Sequence, residues 1–508
     1  MSWKSLTATN LLLLTTVTEA ARLPLNPALP LRRRQVIPTP WYNVTCGAVG
    51  DPGSNPYSAW QTAFADSAYE AVSNSWNNDA PPAGDTTPLD YVETFMHFFN
   101  GPRNWNCSNI AQGDPCAGGL DHCGDNEGTS GAANVPAAYL IGDSFTNLHN
   151  VHSSRYQAIS NAQQFIDISS LQSTFAPVDI DALEILKTIL DSVQLVIGLG
   201  SAYTWNLVLK SAPIFNVGSL GKDVLQQIHG GAKDAFNNAI STIFTTTKDN
   251  LQSDDTALNE QNDLSSALTQ LVGIWQASEA TFLSYIFSGA GNALSDLHNL
   301  IQNGFFIPTP QDGLADFQNQ AIKILYGILI PKAWGLISGA KPFILMVDGD
   351  CGSSSTAPDS AKAYMSDDTA AQTHICFDNK IFYLVNGVKN PPAGGSCDPT
   401  SRDCFGPTGS ETVSFNSLPG GTFNNLNGNN WYGIKLDDFI ISSYQGYQLN
   451  GNQNGYQMPD LTTYIDGQGT QGDIIFQNQL QTPGLFTITI CTDADSAANN
   501  VKGGKAPC

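Results

Sequence analysis

Residues 264–287 read LSSALTQLVGIWQASEATFLSYIF, and this stretch decides the fold class. Apolar side chains recur here every three or four residues, which places them on one face of an α-helix; they are Leu268, Leu271, Trp275, Phe282 and Ile286. Similar stretches occur through the middle of the chain, at residues 136–168, 181–196, 224–244 and 321–337. Consecutive long amphipathic helices pack as antiparallel bundles, so the sequence predicts a mainly α fold with a central helical bundle.

The periodicity changes towards both ends of the chain. Before the bundle, the spacing of aromatic and small residues predicts helices at residues 57–76 and 89–99. After it, residues 343–347 and 381–385 are continuous apolar runs, and residues 486–490 alternate apolar side chains with threonine. These last patterns are typical of β-strands, so the C-terminal part is predicted to be α+β.

The changes of pattern set the predicted domain boundaries. We predict an N-terminal helical disulfide module at residues 35–131, the helical bundle at residues 132–340 and a C-terminal α+β disulfide-rich module at residues 341–508. Pro331 falls inside the last helical stretch of the bundle. We expect it to kink or end that helix, because proline lacks the backbone donor and clashes with the preceding turn.

The ten cysteines divide into two groups with a long cysteine-free region between them. Four lie near the N-terminus and six near the C-terminus: Cys46, Cys107, Cys116 and Cys123, then Cys351, Cys376, Cys397, Cys404, Cys491 and Cys508. The simplest interpretation is two disulfides in the first group and three in the second. Three connectivities remain open for the first group and fifteen for the second. Thiolate–metal clusters are disfavoured because no CxxC pair occurs.

The N-terminus has the features of a secreted, processed protein. Residues 1–20 combine a basic start, an apolar run and small residues before Ala20, which predicts a signal peptide cleaved after Ala20. Residues 21–34 end in three arginines, which predicts a propeptide removed after Arg34. Asn43 and Asn106 each begin an N-x-S/T sequon and are predicted glycosylation sites. We therefore expect a secreted, extracellular protein.

Composition excludes some partners. The formal charge is −23, whereas nucleic-acid binding requires a positive surface, so no nucleic-acid partner is expected. An anionic membrane surface is disfavoured for the same reason. Residues 192–209 carry no charge, but they include Gln194, Thr204 and Asn206 and are too polar for a spanning helix. We expect no stable transmembrane segment and interpret these residues as a buried hairpin, with membrane insertion after a conformational change as the alternative.

Two stretches approach catalytic motifs without completing them. Residues 142–145 (GDSF) are similar to the nucleophile block of GDSL-type esterases, with Ser144 as the nucleophile, but no DxxH motif supplies the required histidine. The nearest pattern, at residues 296–298, is one residue short. Residues 179–184 (DIDALE) nearly match the chitinase pattern DxxDxDxE, but the glutamate is one residue too far and the first aspartate is absent. Acidic residues at a helix start are the simpler interpretation.

Metal binding is weakly indicated. His149 and His152 are three residues apart on a predicted helix and could share a metal, although packing is the simpler role for both. Two acidic groups could hold calcium in loops, but neither matches the EF-hand pattern; they are Asp121, Asp125 and Glu127, and Asp348 and Asp350. We expect no metal site and no cofactor.

Several segments resemble a family of secreted fungal proteins of uncharacterised activity. They are residues 136–141 (PAAYLI), 144–148 (SFTNL), 174–178 (TFAPV) and 326–334 (YGILIPKAW). The resemblance covers about residues 130–352. In some fungal proteins a similar region accompanies a killer-toxin-like chitinase domain, which this chain lacks. The resemblance implies a fungal extracellular setting, in antagonism or host interaction, and supplies no catalytic residues.

These observations lead to one functional expectation and two alternatives. We expect a secreted effector or toxin-like protein that acts on host or competitor cells without identifiable catalysis, through an unknown cell-surface or wall component. The first alternative is a secreted hydrolase of esters or glycans, since paired carboxylates need not be close in sequence. The second is a structural protein of the cell wall or matrix.

Overall fold

Long helices form the first part of the described chain, and a small mixed sheet follows. The computed structural model describes residues 40–76, 90–99, 101, 105–110, 116, 123, 135–176, 264–307, 314–337, 339–349, 351, 356–392, 395–397, 404–405, 411–457 and 479–508. The α-helices of these residues are α1 (Cys46–Val49), α2 (Pro56–Thr62), α3 (Ala65–Trp76), α4 (Tyr91–Phe98), α5 (Pro136–Phe165), α6 (Ile168–Phe175), α7 (Leu264–Ile286), α8 (Ala293–Ile301), α9 (Leu314–Leu336), α10 (Asp367–Thr373), α11 (Leu436–Leu449) and α12 (Ala494–Lys502).

The strands alternate with some of the later helices. They are β1 (Pro342–Asp348), β2 (His374–Phe377), β3 (Lys380–Asn390), β4 (Ser396–Cys397), β5 (Cys404–Phe405), β6 (Thr412–Ser417) and β7 (Thr489–Cys491). Short 3₁₀ turns occur at Pro40–Asn43, Gln302–Gly304, Trp431–Gly433 and Gln479–Gln481.

Helix α5 is the element around which the other long helices assemble. It packs against α7, α9 and α3. Its apolar side chains Leu140, Phe145 and Leu148 are fully buried. Trp275 and Phe282 of α7 are buried as well, which confirms the helix and the apolar stripe predicted there. The long helices therefore owe their stability to burial of these faces, since an isolated helix is marginal in water.

Helix α9 excludes one of the two outcomes expected for Pro331, an end of the helix, and leaves the kink a prediction. It runs from Leu314 to Leu336 with Pro331 in its interior, so the proline does not end the helix. A proline inside a helix costs about 3 kcal/mol. Ile330 and Trp334 are both fully buried on either side of it. Burying such side chains recovers about 2 kcal/mol or more each, which offsets the cost of the missing backbone hydrogen bond.

The single helix predicted for residues 57–76 is wrong, because the chain breaks into α2 and α3 at Phe64. Phe64 has a φ of 54°, in the left-handed region that interrupts a helix. The break accompanies the complete burial of Trp60, whose Nε1 donates a hydrogen bond to Asp66 Oδ1 at 2.8 Å. Burial and hydrogen bonding of a tryptophan thus override the helical periodicity of the segment.

The main sheet is mixed and has β1 and β3 at its centre. The strand order is β2-β3-β1-β7, and β6 also pairs with β3. Strand β1 is antiparallel to β3 and parallel to β7, with Leu345 opposite Tyr383 and Cys491. Asp378 and Asn379 connect β2 to β3 with φ values of 51° and 57°, as the tightest hairpin turns require. The predicted strands at residues 343–347 and 381–385 are confirmed, and the third is limited to Thr489–Cys491.

The continuous apolar runs of β1 and β3 arise because both faces of the sheet are buried. Ile344 and Leu384 face the main core, which contains the helices α5, α7, α9 and α11. Phe343 and Val385 face a second, smaller core that also contains Val501 of α12. Strands covered on both faces lose the alternation of apolar and polar residues, which explains the pattern in the sequence.

Each disulfide of the described residues joins two cysteines of the same sequence group. Near the N-terminus Cys46 bonds to Cys123 and Cys107 to Cys116. Near the C-terminus Cys351 bonds to Cys376 and Cys491 to Cys508. The register of β4 and β5 places the backbone of Cys397 opposite that of Cys404.

The described residues confirm a mainly helical fold with a small mixed sheet and disulfides. Their elements belong to one compact unit, Thr39–Cys508. The main core is continuous from Trp60 through Trp275 to Phe439. The predicted helices at residues 181–196 and 224–244 lie outside the described residues, so the complete bundle and the module boundaries at residues 35–131, 132–340 and 341–508 stay predictions.

No helix in the part of the chain that the structure describes is long and apolar enough to cross a bilayer. The expectation of no stable transmembrane segment stays a prediction, because the described residues are only part of the chain. Residues 192–209, the apolar stretch interpreted as a buried hairpin, lie outside them.

Replacement of Phe175 by alanine tests how strongly the helical part depends on the loops that cover it. Phe175 is fully buried, and its ring lies 6.1 Å from that of Trp334 and 4.9 Å from that of Trp431. We expect Phe175→Ala to lower the free energy of unfolding by about 3–5 kcal/mol, measured by urea denaturation. Phe165→Ala is the control, because this ring is 51% exposed and its loss should change stability by less than about 0.5 kcal/mol. Equal losses of unfolding free energy in the two variants would contradict the burial of the Phe175 ring between Trp334 and Trp431.

Candidate binding surface

The structure places Ser144, the predicted esterase nucleophile, inside the protein. Ser144 lies in the middle of α5, is fully buried, and donates its hydroxyl hydrogen to the carbonyl oxygen of Leu140 at 2.8 Å. The histidine of residues 296–298 is elsewhere: Nε2 of His298 lies 2.9 Å from Asp66 Oδ1, and the ring stacks on Tyr69. A buried hydroxyl engaged by its own helix cannot attack a substrate, so this arrangement offers no esterase site.

His149 and His152 bond to different partners rather than to a common metal position. His149 Nδ1 lies 2.9 Å from the carbonyl oxygen of Cys107 and donates to it. His152 Nδ1 lies 2.7 Å from Glu279 Oε2, and the ring stacks on Phe282 with centroids 4.3 Å apart. Within the described residues no group of three or more metal-binding side chains is found. The two histidines connect α5 to neighbouring segments.

Arg155 completes a buried charged group with His152 and Glu279. Its Nη2 lies 2.8 Å from Glu279 Oε1, and its guanidinium lies over the ring of Phe317. Burial lowers the pKa of His152, although the hydrogen bond to Glu279 acts in the opposite direction. Burial also acts to raise the pKa of Glu279, but Arg155 and His152 outweigh it and the pKa is lowered. The group therefore holds an ion pair between α5 and α7, inside the core.

The remaining predicted sites are exposed, paired or outside the described residues. Asp348 accepts from Lys380 Nζ at 2.6 Å. Asn43 is exposed, and Asn106 Oδ1 accepts from Ser108 Oγ at 2.7 Å; glycosylation of both stays a prediction. The following lie outside the described residues: Ala20, Arg34, Asp121, Asp125, Glu127, Asp350 and residues 179–184.

Asp143, the residue before Ser144, carries a perturbed carboxyl group. Burial raises its pKa to about 7, and the hydrogen bond with Asn147 reduces this effect only partly. Asn147 also donates from Nδ2 to the carbonyl oxygens of Phe306 and Ile307, both at 2.8 Å. Asp143 is therefore protonated at mildly acidic pH in the folded protein.

An aromatic cluster at the loop of residues 424–433 (NNLNGNNWYG) is the surface feature with the clearest binding chemistry. Trp431 packs between Phe175 and Tyr326, at centroid distances of 4.9 and 5.3 Å. Tyr432 lies over Tyr326 in a nearly parallel arrangement, with centroids 6.0 Å apart and an interplanar angle of 20°. Trp431 is thus anchored in the protein, while Tyr432 is 39% exposed.

The backbone that presents these rings is in an unfavourable conformation. Trp431, Tyr432 and Gly433 have φ values of 51°, 56° and 88°. Glycine adopts such values freely, but each bulky residue pays about 1–2 kcal/mol for them. Two backbone hydrogen bonds close the loop. Gly428 N donates to the carbonyl oxygen of Ile434 at 3.1 Å, and Gly433 N donates to the carbonyl oxygen of Asn430 at 3.1 Å.

Tyr326 connects the loop to a second exposed aromatic residue. Its hydroxyl accepts from the backbone N–H of Asp167 at 2.8 Å and donates to the carbonyl oxygen of Phe165 at 3.3 Å. Phe165 is 51% exposed at the end of α5. We refer to Trp431, Tyr432 and the loop of residues 424–433, which pack on the buried ring of Tyr326, as the aromatic–amide surface.

The polar side chains of the loop itself are neutral, but two charged residues border it: the side chain of Lys435 lies against Gly428, and Asp167 donates its backbone N–H to Tyr326. Residues 412–434 contain no charged side chain, although the chain carries 45 acidic residues. Asn427, Asn429 and Asn430 are exposed. Asn430 Nδ2 donates to the carbonyl oxygen of Asn424 at 3.3 Å, which leaves its second hydrogen and its oxygen for another partner. The loop thus presents one exposed aromatic ring and several exposed carboxamides, of which that of Asn427 also holds the loop together by accepting from Asn429 N at 2.8 Å.

No motif in the sequence predicts this surface. The loop is visible in the sequence only as a segment dense in asparagine and glycine, which is typical of turns. Its aromatic partners Phe175 and Tyr326 are more than 100 residues earlier in the chain. The sequence offers one signal for such a surface, which is the pair of adjacent aromatic residues at the end of this turn-rich segment.

Comparison with known proteins relates the chain to secreted fungal proteins. It is 27% identical over 484 residues to a Penicillium expansum protein described as a probable chitinase, LysM18, a match that covers 89% of this chain and 32% of that protein. It is 26% identical over 477 residues to the secreted chitinase LysM12 of the same organism, covering 87% of this chain and 30% of that protein. The chain therefore spans about a third of the length of the curated relatives it matches.

Neither a family model nor a solved structure matches the chain. One relative is a secreted protein, and the described residues contain four disulfides, which persist in oxidising compartments. These findings confirm the prediction that the protein is secreted and extracellular.

Replacement of Asp143 by asparagine tests its raised pKa. The folded protein keeps the proton of Asp143 up to a pH of about 7, whereas the same carboxyl in the unfolded chain loses it near its ordinary pKa of 3.8. The folded state therefore binds more protons in this window, and the contribution of Asp143 to stability is lost as the pH rises through it. We expect Asp143→Asn to be increasingly more stable than the parent chain as the pH rises towards about 7, with a constant difference above it, measured by urea denaturation.

Asp359→Asn is the control for this experiment. Asp359 is exposed and pairs with Lys362, which lowers the pKa of its carboxyl. Its replacement should not give a stability gain that grows with pH between 4 and 7, since the pKa is shifted in the other direction. Parallel pH profiles for Asp143→Asn and the parent chain would show that Asp143 is not buried as described.

Proposed function

We propose that this chain is a secreted effector or toxin-like protein that acts outside the producing cell, on host or competitor cells, by binding rather than by catalysis. The observation that carries the proposal is the pairing of an exposed aromatic–amide surface with a buried Ser144. An exposed aromatic ring beside neutral hydrogen-bonding groups suits recognition of a ligand. The target is a component of the cell surface or cell wall.

Similarity to secreted fungal proteins supports the extracellular part of this proposal. The two relatives are described as chitinases and are about three times as long as this chain. The resemblance places such a region beside chitinase domains in other fungal proteins. A region that accompanies an enzyme acting on a polymer contributes to function when it binds to the same material, because binding raises the local concentration.

A hydrolase acting on glycans is the second candidate, and the descriptions of the relatives favour it. Most such enzymes use two carboxyl groups about 5 to 9 Å apart across a groove. The chitinase-like residues 179–184 lie outside the described residues and retain the sequence departures noted above. A structural role in the cell wall or matrix is the third candidate, to be tested by the fraction in which the protein is found.

The proposal is tested with the full chain, secreted from a eukaryotic host so that its disulfides form, and applied to fungal and plant cells. We expect saturable binding to the surface of at least one cell type, with growth inhibition or cell death. Ser144→Ala should behave like the parent chain, because the hydroxyl is buried and bonded to Leu140. Ser278→Ala is the matched control, since Ser278 is also a buried helical serine and donates to the carbonyl oxygen of Trp275 at 2.6 Å.

Two outcomes would overturn the proposal. One is a properly folded chain that neither binds to cells, inhibits growth nor causes cell death. The other is hydrolysis of an ester or glycan by the parent chain with all cellular effects abolished when that activity is inhibited, which would establish the hydrolase instead.

A further inference from the structure

The four disulfides of the described residues differ in their exposure to solvent. Cys351 and Cys376, which form one bridge, are both exposed. Cys107 and Cys116 are both fully buried, and the remaining two bridges each include a cysteine that is half-buried or buried. A thiolate must reach a sulfur atom to exchange with a disulfide, so the bridge between Cys351 and Cys376 is the most accessible of these four.

This bridge joins two parts of the sheet that are not neighbours. Cys376 lies on β2, opposite Ile381 of β3, and Cys351 follows β1, which ends at Asp348. Strand β3 lies between β1 and β2, so the bridge passes across β3 and ties the edge strand β2 to the end of β1. The two cysteines have a sequence separation of 25 residues.

The segment that this bridge closes covers the second, smaller core of the protein. We refer to residues 356–373 as the cover segment. The side chains that it places in the second core are mostly small; they are Ala357, Ala361, Met365 and Ala370. Because alanine buries a single methyl group, apolar packing holds the cover segment less firmly than the large side chains hold the helices around α5.

Backbone hydrogen bonds also attach the cover segment to its surroundings. The carbonyl oxygen of Tyr364 accepts from Phe415 N of β6 at 2.7 Å, and that of Gln372 accepts from Phe423 N at 3.0 Å. Strand β6 pairs with β3, so the cover segment occupies the edge of β6 that β3 leaves open. Detachment of the cover segment therefore exposes both the apolar side chains of the second core and a strand edge.

The bridge acts on the state in which the cover segment is detached. A cross-link reduces the number of conformations that a detached segment can adopt, and this lowers the entropy gained on opening. Since packing through alanine holds the segment only moderately, the cross-link makes a substantial contribution to keeping it closed. Loss of the bridge favours local opening of the cover segment without requiring unfolding of the main core.

We propose that the disulfide between Cys351 and Cys376 is a site of thiol–disulfide exchange, at which an external dithiol releases the cover segment from the second core. A thiolate of the dithiol bonds to one sulfur of the bridge, the S–S bond breaks, and the other cysteine leaves as a thiolate that takes a proton from water. The second thiol of the reductant then displaces the first cysteine. The reductant ends as a disulfide, having given two electrons, and both cysteines end as thiols.

The chemistry of the second step selects a dithiol over a single thiol. After attack by a single thiol, the released cysteine lies beside the mixed disulfide and displaces the attacking thiol again, which restores the bridge. A dithiol completes the reduction from within its own molecule before this reversal. The inference goes beyond the proposed function and does not depend on it, because it concerns how the chain responds to a reductant.

The first test measures the order in which the bridges are reduced in the full, disulfide-bonded chain. The protein is treated with limiting dithiothreitol at about pH 8, where part of the thiol is ionised, and free cysteines are alkylated and identified by mass spectrometry. We expect Cys351 and Cys376 to be labelled about tenfold earlier than Cys107 and Cys116, whose sulfurs become accessible only when the surrounding structure opens.

Hydrogen–deuterium exchange measures release of the cover segment itself. In the parent chain we expect slow exchange in the cover segment and at Phe415 N, which is bonded to it. Cys351→Ser combined with Cys376→Ser should accelerate exchange about tenfold or more in the cover segment and β6, because the detached state is no longer cross-linked. Peptides from α5 should exchange as in the parent chain. Selective reduction of the parent chain should have the same effect and reverse on reoxidation, which tests the inference even if the double variant folds poorly.

Asp348→Asn is the matched control for the double variant. Asp348 lies at the end of β1 near the bridge, and its exposed side chain pairs with Lys380. Exposed ion pairs contribute little to stability, so this replacement should leave exchange in the cover segment unchanged. Faster exchange in Asp348→Asn, to the extent seen in the double variant, would mean that any change near the bridge opens this region.

Three further results would overturn the inference. One is labelling of Cys107 and Cys116 no later than that of Cys351 and Cys376. Another is reduction of the bridge between Cys351 and Cys376 with no change of exchange in the cover segment. The third is a folded double variant whose cover segment exchanges as slowly as in the parent chain. All are measured on the isolated chain, so they are distinguishable from the outcomes on cells that test the proposed function.

Discussion

The burial of Trp334 holds the helical part of the protein to the part that contains the sheet. This side chain, on α9, is fully buried and meets Phe175 of α6 and Phe439 of α11 edge to face. Its Nε1 donates to the carbonyl oxygen of Pro419 at 2.8 Å, which satisfies the buried indole donor. Next to it, Gly420 approaches the ring of Phe175 so closely that a Cβ there would lie 2.6 Å from it. The position of the aromatic–amide surface depends on this junction, because Trp431 packs on the same Phe175.

The periodicity of apolar residues is sufficient to predict a helix or strand where one face of that element is buried along its whole length. Helix α7 and strands β1 and β3 could be predicted for this reason, since each pattern reports a direct contact with the core. It failed where a single residue is governed by tertiary packing. Pro331 stays within α9 because its buried neighbours offset a local cost, and Phe64 breaks a helix whose spacing is otherwise regular. In both places the deciding contribution is packing against distant parts of the chain, which the sequence around the residue does not show.

The candidate surface could not be predicted from the sequence because its residues are brought together only by folding. Tyr326 lies on α9, and its hydroxyl bonds to the backbone between α5 and α6. The motifs that did stand out in the sequence, Ser144 and the two histidines, are core residues with structural partners. Short motifs report chemistry only when the fold exposes them, whereas an exposed ring on a strained backbone is a property of the folded chain.

The two N-terminal disulfides are nested, and this has a consequence for how the protein is made and how long it lasts. The bridge between Cys107 and Cys116 lies within the segment closed by the bridge between Cys46 and Cys123. Both inner cysteines are fully buried, and α5 covers them through Thr146 and His149, which bond to their carbonyl oxygens. Thiol–disulfide exchange requires access of a thiolate to sulfur, so the inner bridge must close before α5 docks. Once secreted, the protein exposes this bridge to reductants only when that helix detaches, so reduction of this bridge is limited by the rate at which the helix opens rather than by the strength of the reductant.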